Sequence, residues 1–195
     1  MIDAKRVAEL REMTGAGMMD AKKALEVSLG DLEKAAEELR KRGLVKAASK
    51  AERETKEGRV YAYIHATGKV GAMVEIQCET DFVARNEKFV DLCHGLAMHV
   101  VAMNPSYLDR TNIPSEVEQK EKEIYQEEAS ASGKPAQVVE KIVQGKFDKF
   151  CEDHCLLEQF FIKDETKTIE SLLKEYIVIL GENIAVKRFS RFEIG

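Results

Sequence analysis

Glu79-Thr80-Asp81-Phe82-Val83-Ala84-Arg85-Asn86 stands where the chain changes its hydrophobic period. Ahead of it, Ala72, Val74, Ile76 and Cys78 alternate with more polar residues, the two-residue repeat of a strand with one buried face. Behind it, Phe89, Leu92, Cys93, Leu96 and Val100 recur at the three-and-four spacing of an amphipathic helix. The stretch between them is a strand-to-helix corner, and connections of this kind run over the surface, where their backbone groups find water or caps. It sets an acid, a large aromatic and a base within a few residues. Phe82 has two readings at this level: it tucks under the following helix as a staple-like contact, or it stands out as a wedge aimed at a partner. The local pattern leaves both open.

With 195 residues the chain can build a core without disulfide staples, and the expectation is a small unit followed by a larger one. A net charge of -5 with 33% charged residues describes a soluble globular protein and argues against nucleic-acid binding through a global basic field. No apolar run approaches the roughly 20 residues of a membrane span, and Met1-Ile2-Asp3 leads into a helical pattern without an apolar leader. A cytoplasmic protein with no membrane partner is the expectation. Cys78, Cys93, Cys151 and Cys155 form no disulfide framework, which fits reduced thiols. Cys151-Glu152-Asp153-His154-Cys155 has a short thiol spacing but lacks a second ligand pair, since His94 and His99 do not make one; no metal and no cofactor are expected. Cys93 and His94 are helix neighbours facing different ways, so Cys93 belongs to the apolar stripe.

Taken in order, residues 1–43 read as three short helices. Val7 and Leu10 supply the inner face of the first, which ends near Met13-Thr14-Gly15-Ala16-Gly17. Met18, Ala21, Ala24 and Leu25 share a face of the second; Asp31 is an N-cap for the third, which carries Leu32, Ala35, Ala36 and Leu39 and is expected to stop at Gly43. Met18-Met19 beside a glycine turn either both enter the core or leave a soft docking handle at the surface. Residues 44–57 are dense in Lys, Glu and Ala, with almost no apolar face, and read as a charged linker, either a solvated helix or a flexible one.

The remainder, 58–195, reads as an α+β core. Val60, Ala62 and Ile64 alternate with Tyr61, Tyr63 and His65, and Ala66-Thr67-Gly68-Lys69 turns the chain into the alternating run above, making a β-hairpin. Ile184 to Phe192 is a third strand, whose apolar phase shifts between Val186 and Phe189 as a bulge or twist would require. The expected architecture is a three-helix domain followed by a three-stranded antiparallel sheet packed by helices. A helical hairpin completes it: a charged helix from Pro114 to about Ala131, anchored by Val117, Ile124 and Tyr125, against a fuller stripe of Val138, Val139, Ile142, Val143, Phe147 and Phe150. Lys120-Glu121-Lys122-Glu123 reads as a solvated face. Both faces of the first strand carry substantial side chains, and a second copy of the chain is one way to cover the outer one.

Two stretches carry a family resemblance. Leu10-Arg11-Glu12-Met13-Thr14-Gly15-Ala16-Gly17-Met18-Met19-Asp20-Ala21-Lys22-Lys23-Ala24-Leu25 resembles the first signature of the elongation factor Ts family, and Glu75 to Asn86 resembles its second. Ile179-Leu180-Gly181-Glu182-Asn183-Ile184 fits as well, so the likeness spans essentially the whole chain. The resemblance implies a UBA-like N-terminal domain and a guanine-nucleotide exchange factor for elongation factor Tu that binds the GDP form and promotes GDP release. It implies that Thr80, Asp81, Phe82 and Val83 approach the partner's Mg²⁺ region, and that Arg11, Met18, Met19 and Lys22 dock on its GTPase domain. Room for only one core subdomain implies a homodimer and a two-plus-two complex.

The residues themselves show no phosphate-cradling glycine loop, paired catalytic carboxylates or Ser/His/Asp arrangement, so no catalytic residue is expected and a binding protein is favoured over an enzyme. A UBA-like adaptor without exchange activity, or a ribosome- or nucleic-acid-binding protein using the basic linker, are the competing readings.

Overall fold

In the computed structural model, which describes residues 3–131 and 134–195, the alternating run is strand β2 (Val70–Cys78) and the helical run is helix α5 (Glu87–Met103). Met1 and Ile2 lie outside the described residues. The chain is α+β. Helices α1 (Ala4–Thr14), α2 (Met18–Val27) and α3 (Leu32–Ala48) precede strand β1 (Glu57–Ile64); the corner holds a short helix α4 (Asp81–Ala84). After α5 come α6 (Ser115–Ser130), α7 (Ala136–His154), the small strands β3 (Phe160–Phe161) and β4 (Asp164–Thr168), α8 (Ile169–Leu180) and β5 (Ile184–Glu193). One antiparallel sheet has the order β1-β2-β5, and β3 pairs antiparallel with β4 in another. No helix among the described residues is long and apolar enough to cross a membrane.

The chain divides into two compact units that its elements enter more than once. The first gathers residues through Val60, Glu75–Leu92 and Ser171–Lys187. Helices α1 and α3 start on Asp caps: Asp3 accepts from the Lys5 N–H, and Asp31 from that of Lys34 at 3.0 Å. Val7, Leu10, Ala21, Ala24, Leu25 and Ala35 form their small core. Leu10 and Leu25 are fully buried, each stabilising by about 1.5–3 kcal/mol relative to exposure.

Helix α3 does not stop at Gly43 but runs to Ala48. Gly43 is buried, and a Cβ there would sit 3.3 Å from Val178 Cγ2 of α8, so the glycine provides close approach inside a helix rather than an ending. Gly58 also marks a close approach, with φ +146° and a would-be Cβ only 2.2 Å from the Ile76 carbonyl oxygen.

The second unit comprises Tyr61–Val74, Cys93–Glu170 and Arg188–Gly195. Helices α6 and α7 pack as a hairpin around Ile113, Phe147, Cys151 and Cys155, with Val117 and Tyr125 against them. Ile124 and Val138, expected as anchors, are exposed, whereas Ala129 is buried. Lys122 is not simply solvated: its ammonium lies 4.6 Å from the Phe147 ring centroid and pairs with Glu118, so its stem covers the aromatic. Here β5 changes phase, Arg191 turning inward to donate to the Val101 carbonyl at 3.1 Å while Phe192 faces out.

A buried polar pair sits in the same unit. The Ile162 N–H points at His99 Nδ1, 3.3 Å away, which makes Nδ1 an acceptor and leaves Nε2–H to donate to Gln159 Oε1 at 3.0 Å. Gln159 in turn donates to the carbonyls of Asp153 (2.7 Å) and Met103 (3.4 Å). Burial lowers the His99 pKa from 6.5 to about 4, opposed by the Gln159 bond.

Candidate functional site

The corner at Glu79–Val83 and the residues that hold it, Ala51, Arg53, Glu182 and Asn183, belong to the first unit. Thr80 is the N-cap of α4, its backbone extended and its hydroxyl oxygen accepting from the Val83 N–H at 3.4 Å. Four residues of helix cannot sustain themselves, because a single turn carries the nucleation cost with almost no propagation to offset it. The turn is therefore held from outside. Glu182, just beyond α8, places Oε2 at 3.0 Å from the Glu79 N–H and 2.9 Å from the Thr80 N–H, and Oε1 at 2.6 Å from the Thr80 hydroxyl. These are charge-assisted hydrogen bonds, the stronger class.

The grip is reciprocal. Asn183 donates its backbone N–H to Glu79 Oε1 at 2.6 Å, and its buried amide donates to the carbonyls of Ala51 (3.2 Å) and Arg53 (2.8 Å). Arg53 also lies 3.6 Å from Glu79, and Lys50 donates to the Gly181 carbonyl. Inside the corner, the Cys78 thiol donates to the Thr80 carbonyl at 3.2 Å; burial first, and the Glu182 charge second, push that thiol up to about 11. It is a neutral S–H donor at physiological pH.

With the corner fixed, its side chains separate by exposure. Phe82 is 83% exposed, which excludes the staple reading, while Ala84 is the buried residue of α4 and Val83 is half-buried. Asp81 pairs with Arg85 at 3.1 Å, one turn on. The Phe82 ring is thus left to solvent on the outside of the corner.

The other four expected residues lie on the first two helices. The Arg11 Nε donates to the Ala16 carbonyl at 3.3 Å, closing the turn between α1 and α2, with Gly15 in the left-handed conformation at φ 66°. Met18 and Met19 are 61% and 63% exposed, so neither enters the core, and Lys22 shares their face at i+4 and i+3. Met13, in the last turn of α1, is exposed as well. Glu182 and Asn183 were legible only as part of a matching stretch; their role came from geometry.

Among the described residues, a cluster of two thiols and a carboxylate lies elsewhere, in the second unit. Cys151, Cys155 and Glu158 bring their donor atoms within 4.8 Å of one another. Glu158 is committed to an ion pair, both its oxygens engaging Arg110 at 2.6 and 2.7 Å, and Arg110 reaches Asp148 as well at 2.6 Å. Burial, then the neighbouring Cys151, push Cys155 up to about 12. The arrangement is a packed thiol pair beside an ion-pair network, away from the corner in sequence.

Comparison with known proteins gives a uniform result. The family model described as Elongation factor TS matches residues 4–195. Among curated relatives, the chain is 56% identical over 195 residues to elongation factor Ts of Thermosipho melanesiensis, covering all of both chains. It is 54% identical over 194 residues to that of Fervidobacterium nodosum (all of this chain, 98% of the relative) and 52% identical over 195 residues to that of Syntrophomonas wolfei (all of this chain, 91% of the relative).

Proposed function

Since the chain belongs to the elongation factor Ts family, whose members are translation elongation factors, we propose that it is a guanine-nucleotide exchange factor that binds elongation factor Tu in its GDP form and promotes GDP release. The observation that carries this reading is Phe82, 83% exposed on a clamped turn.

The mechanism is non-covalent and rests on linkage. A factor that weakens nucleotide binding to the partner is itself bound more weakly when nucleotide is present, by the same ratio. To supply that negative coupling it must disturb the part of the partner's site where charge is concentrated, the phosphates and their Mg²⁺. In this reading Phe82 inserts between elements of the partner's GTPase domain. Asp81, Thr80 and Val83 follow it toward the metal region, where the Asp81 carboxylate competes for polar contacts. A rigid aromatic anchor of this kind is worth about 2 kcal/mol or more, as interface hot spots are.

Residues 1–43 act as a UBA-like docking domain through Arg11, Met18, Met19 and Lys22. The exposed Met13, Met18 and Met19 give it an adaptable apolar surface suited to a protein partner. Residues 44–57 are the connector, with 44–48 forming the end of α3, and 58–195 the core. The second copy of the chain is the further partner. In the second unit Ile64, Met73 and Phe192 leave an apolar sheet face exposed (71%, 48% and 70%), and covering it would give a homodimer that engages two elongation factor Tu molecules. The protein works in the cytoplasm, without direct contact to nucleic acid or membrane.

The test is stopped-flow release of a fluorescent GDP from elongation factor Tu. Wild-type chain in micromolar excess is expected to accelerate release; release at the spontaneous rate would overturn the function.

A further inference from the structure

Phe82 is 83% exposed. Its ring packs on no other side chain strongly enough to bury it, so its direction is that of the α4 backbone, and α4 is too short to be stable without its cap. The cap is the Thr80 hydroxyl, and a hydroxyl has one proton to donate. Glu182 takes that proton through Oε1, which turns the hydroxyl lone pairs toward the Val83 N–H. The other carboxylate oxygen takes the backbone N–H groups of Glu79 and Thr80, fixing the two residues that lead into the turn. One side chain, 102 residues from Thr80 in sequence, thus sets the hydroxyl orientation, the entry backbone and, through them, the direction of Phe82.

We propose that Glu182 is a positioning residue for nucleotide exchange: it touches no partner group and acts by holding the Thr80 cap, and so α4, in the conformation that presents Phe82. The claim rests on the exchange reading above. Asn183 supports it from the other side, since its N–H holds Glu79 Oε1 while its amide anchors the turn to Ala51 and Arg53. Loss of the carboxylate leaves Phe82 present but wrongly delivered, and a displacement of about 1 Å in a working group costs on the order of a hundredfold.

The test is a double-mutant cycle on GDP release, using the full chain with Glu182→Gln, Phe82→Ala and the two together. Glu182→Gln keeps the size of the side chain but exchanges one acceptor oxygen for a donor. It is expected to slow the maximal release rate by about 10- to 100-fold while thermal unfolding stays cooperative. The double variant is expected to be no slower than Phe82→Ala alone within about twofold, because the first change acts through the second residue. The amides of Glu79 and Thr80 are expected to exchange hydrogen at least about tenfold faster in Glu182→Gln, which an indirect effect from elsewhere would not produce. Additive losses, a full rate with Glu182→Gln, or unchanged amide protection overturns the positioning claim. Should Glu182→Gln not fold, Glu182→Asp, which keeps the charge but withdraws it by one methylene, is read in the same cycle. A wild-type chain that fails to accelerate release removes the exchange reading and this claim with it. Acceleration by wild type together with full-rate Glu182→Gln removes this claim alone.

Discussion

Lowering the pH tests the polar pair in the second unit. His99 is buried between Gln159, the Ile162 N–H and the Phe161 ring, its two nitrogens already assigned as one donor and one acceptor. A second proton on Nδ1 would displace the Ile162 bond and place a charge in an apolar interior, so the folded pKa falls from 6.5 to about 4. The sign follows from proton uptake. Above pH 6.5 both states hold a neutral imidazole and the group contributes no pH dependence. Between 6.5 and 4 only the unfolded state binds the proton, so stability is lost as pH falls. Each unit is worth 1.36 kcal/mol, giving about 2 kcal/mol lost by pH 5 and about 3 kcal/mol below pH 4. Urea unfolding of the wild type and of His99→Gln from pH 7.5 to 4.5 isolates this contribution, since every other group titrates in both. The wild-type curve is expected to fall away from that of the variant below pH 6.5, and the His99 ring protons in NMR should not titrate above pH 5. Parallel curves, or an NMR midpoint near 6.5, would refute the assignment.

Two further changes probe the fold and the assembly. Gly58→Ala puts a Cβ 2.2 Å from the Ile76 carbonyl oxygen at φ +146°, so strand β1 must move; the expected loss is about 2 kcal/mol or more, read from the urea midpoint. Ile64→Asp places a charge on the exposed apolar sheet face. It is expected to convert a dimer into a monomer in sedimentation at micromolar concentration, with cooperative unfolding retained; a monomeric wild type would contradict the dimer.

What was legible in the sequence was what repeats along the chain. The alternation through Val74, Ile76 and Cys78 and the helical recurrence from Phe89 to Val100 located the corner, because burial of one face writes a period into the sequence. Asp31 announced its helix by local chemistry, whereas the Asp3 cap came from the structure. Features that depend on distant residues were not legible. Gly43 looks like a stop because the local propensity is poor, yet its neighbour Val178 makes the missing side chain an asset. The β3–β4 pair was missed because a two-residue strand has no period to show. Phe82 stayed ambiguous until its exposure was known, and the acceptor that orders its turn comes from far along the chain. Resemblance to a family singled out this corner; it said nothing of why the corner holds its shape.

The most direct test of the central claim is the rate of fluorescent GDP release from elongation factor Tu in the presence of Phe82→Ala. The substitution removes an exposed ring and so leaves the fold intact, with unfolding expected within about 0.5 kcal/mol of wild type. Loss of an anchor worth about 2 kcal/mol corresponds to about thirtyfold in rate at a fixed concentration of factor, and a reduction of that order or larger is the expected result. Acceleration equal to that of the wild type would show that the corner does not act on the nucleotide site, and would contradict the account.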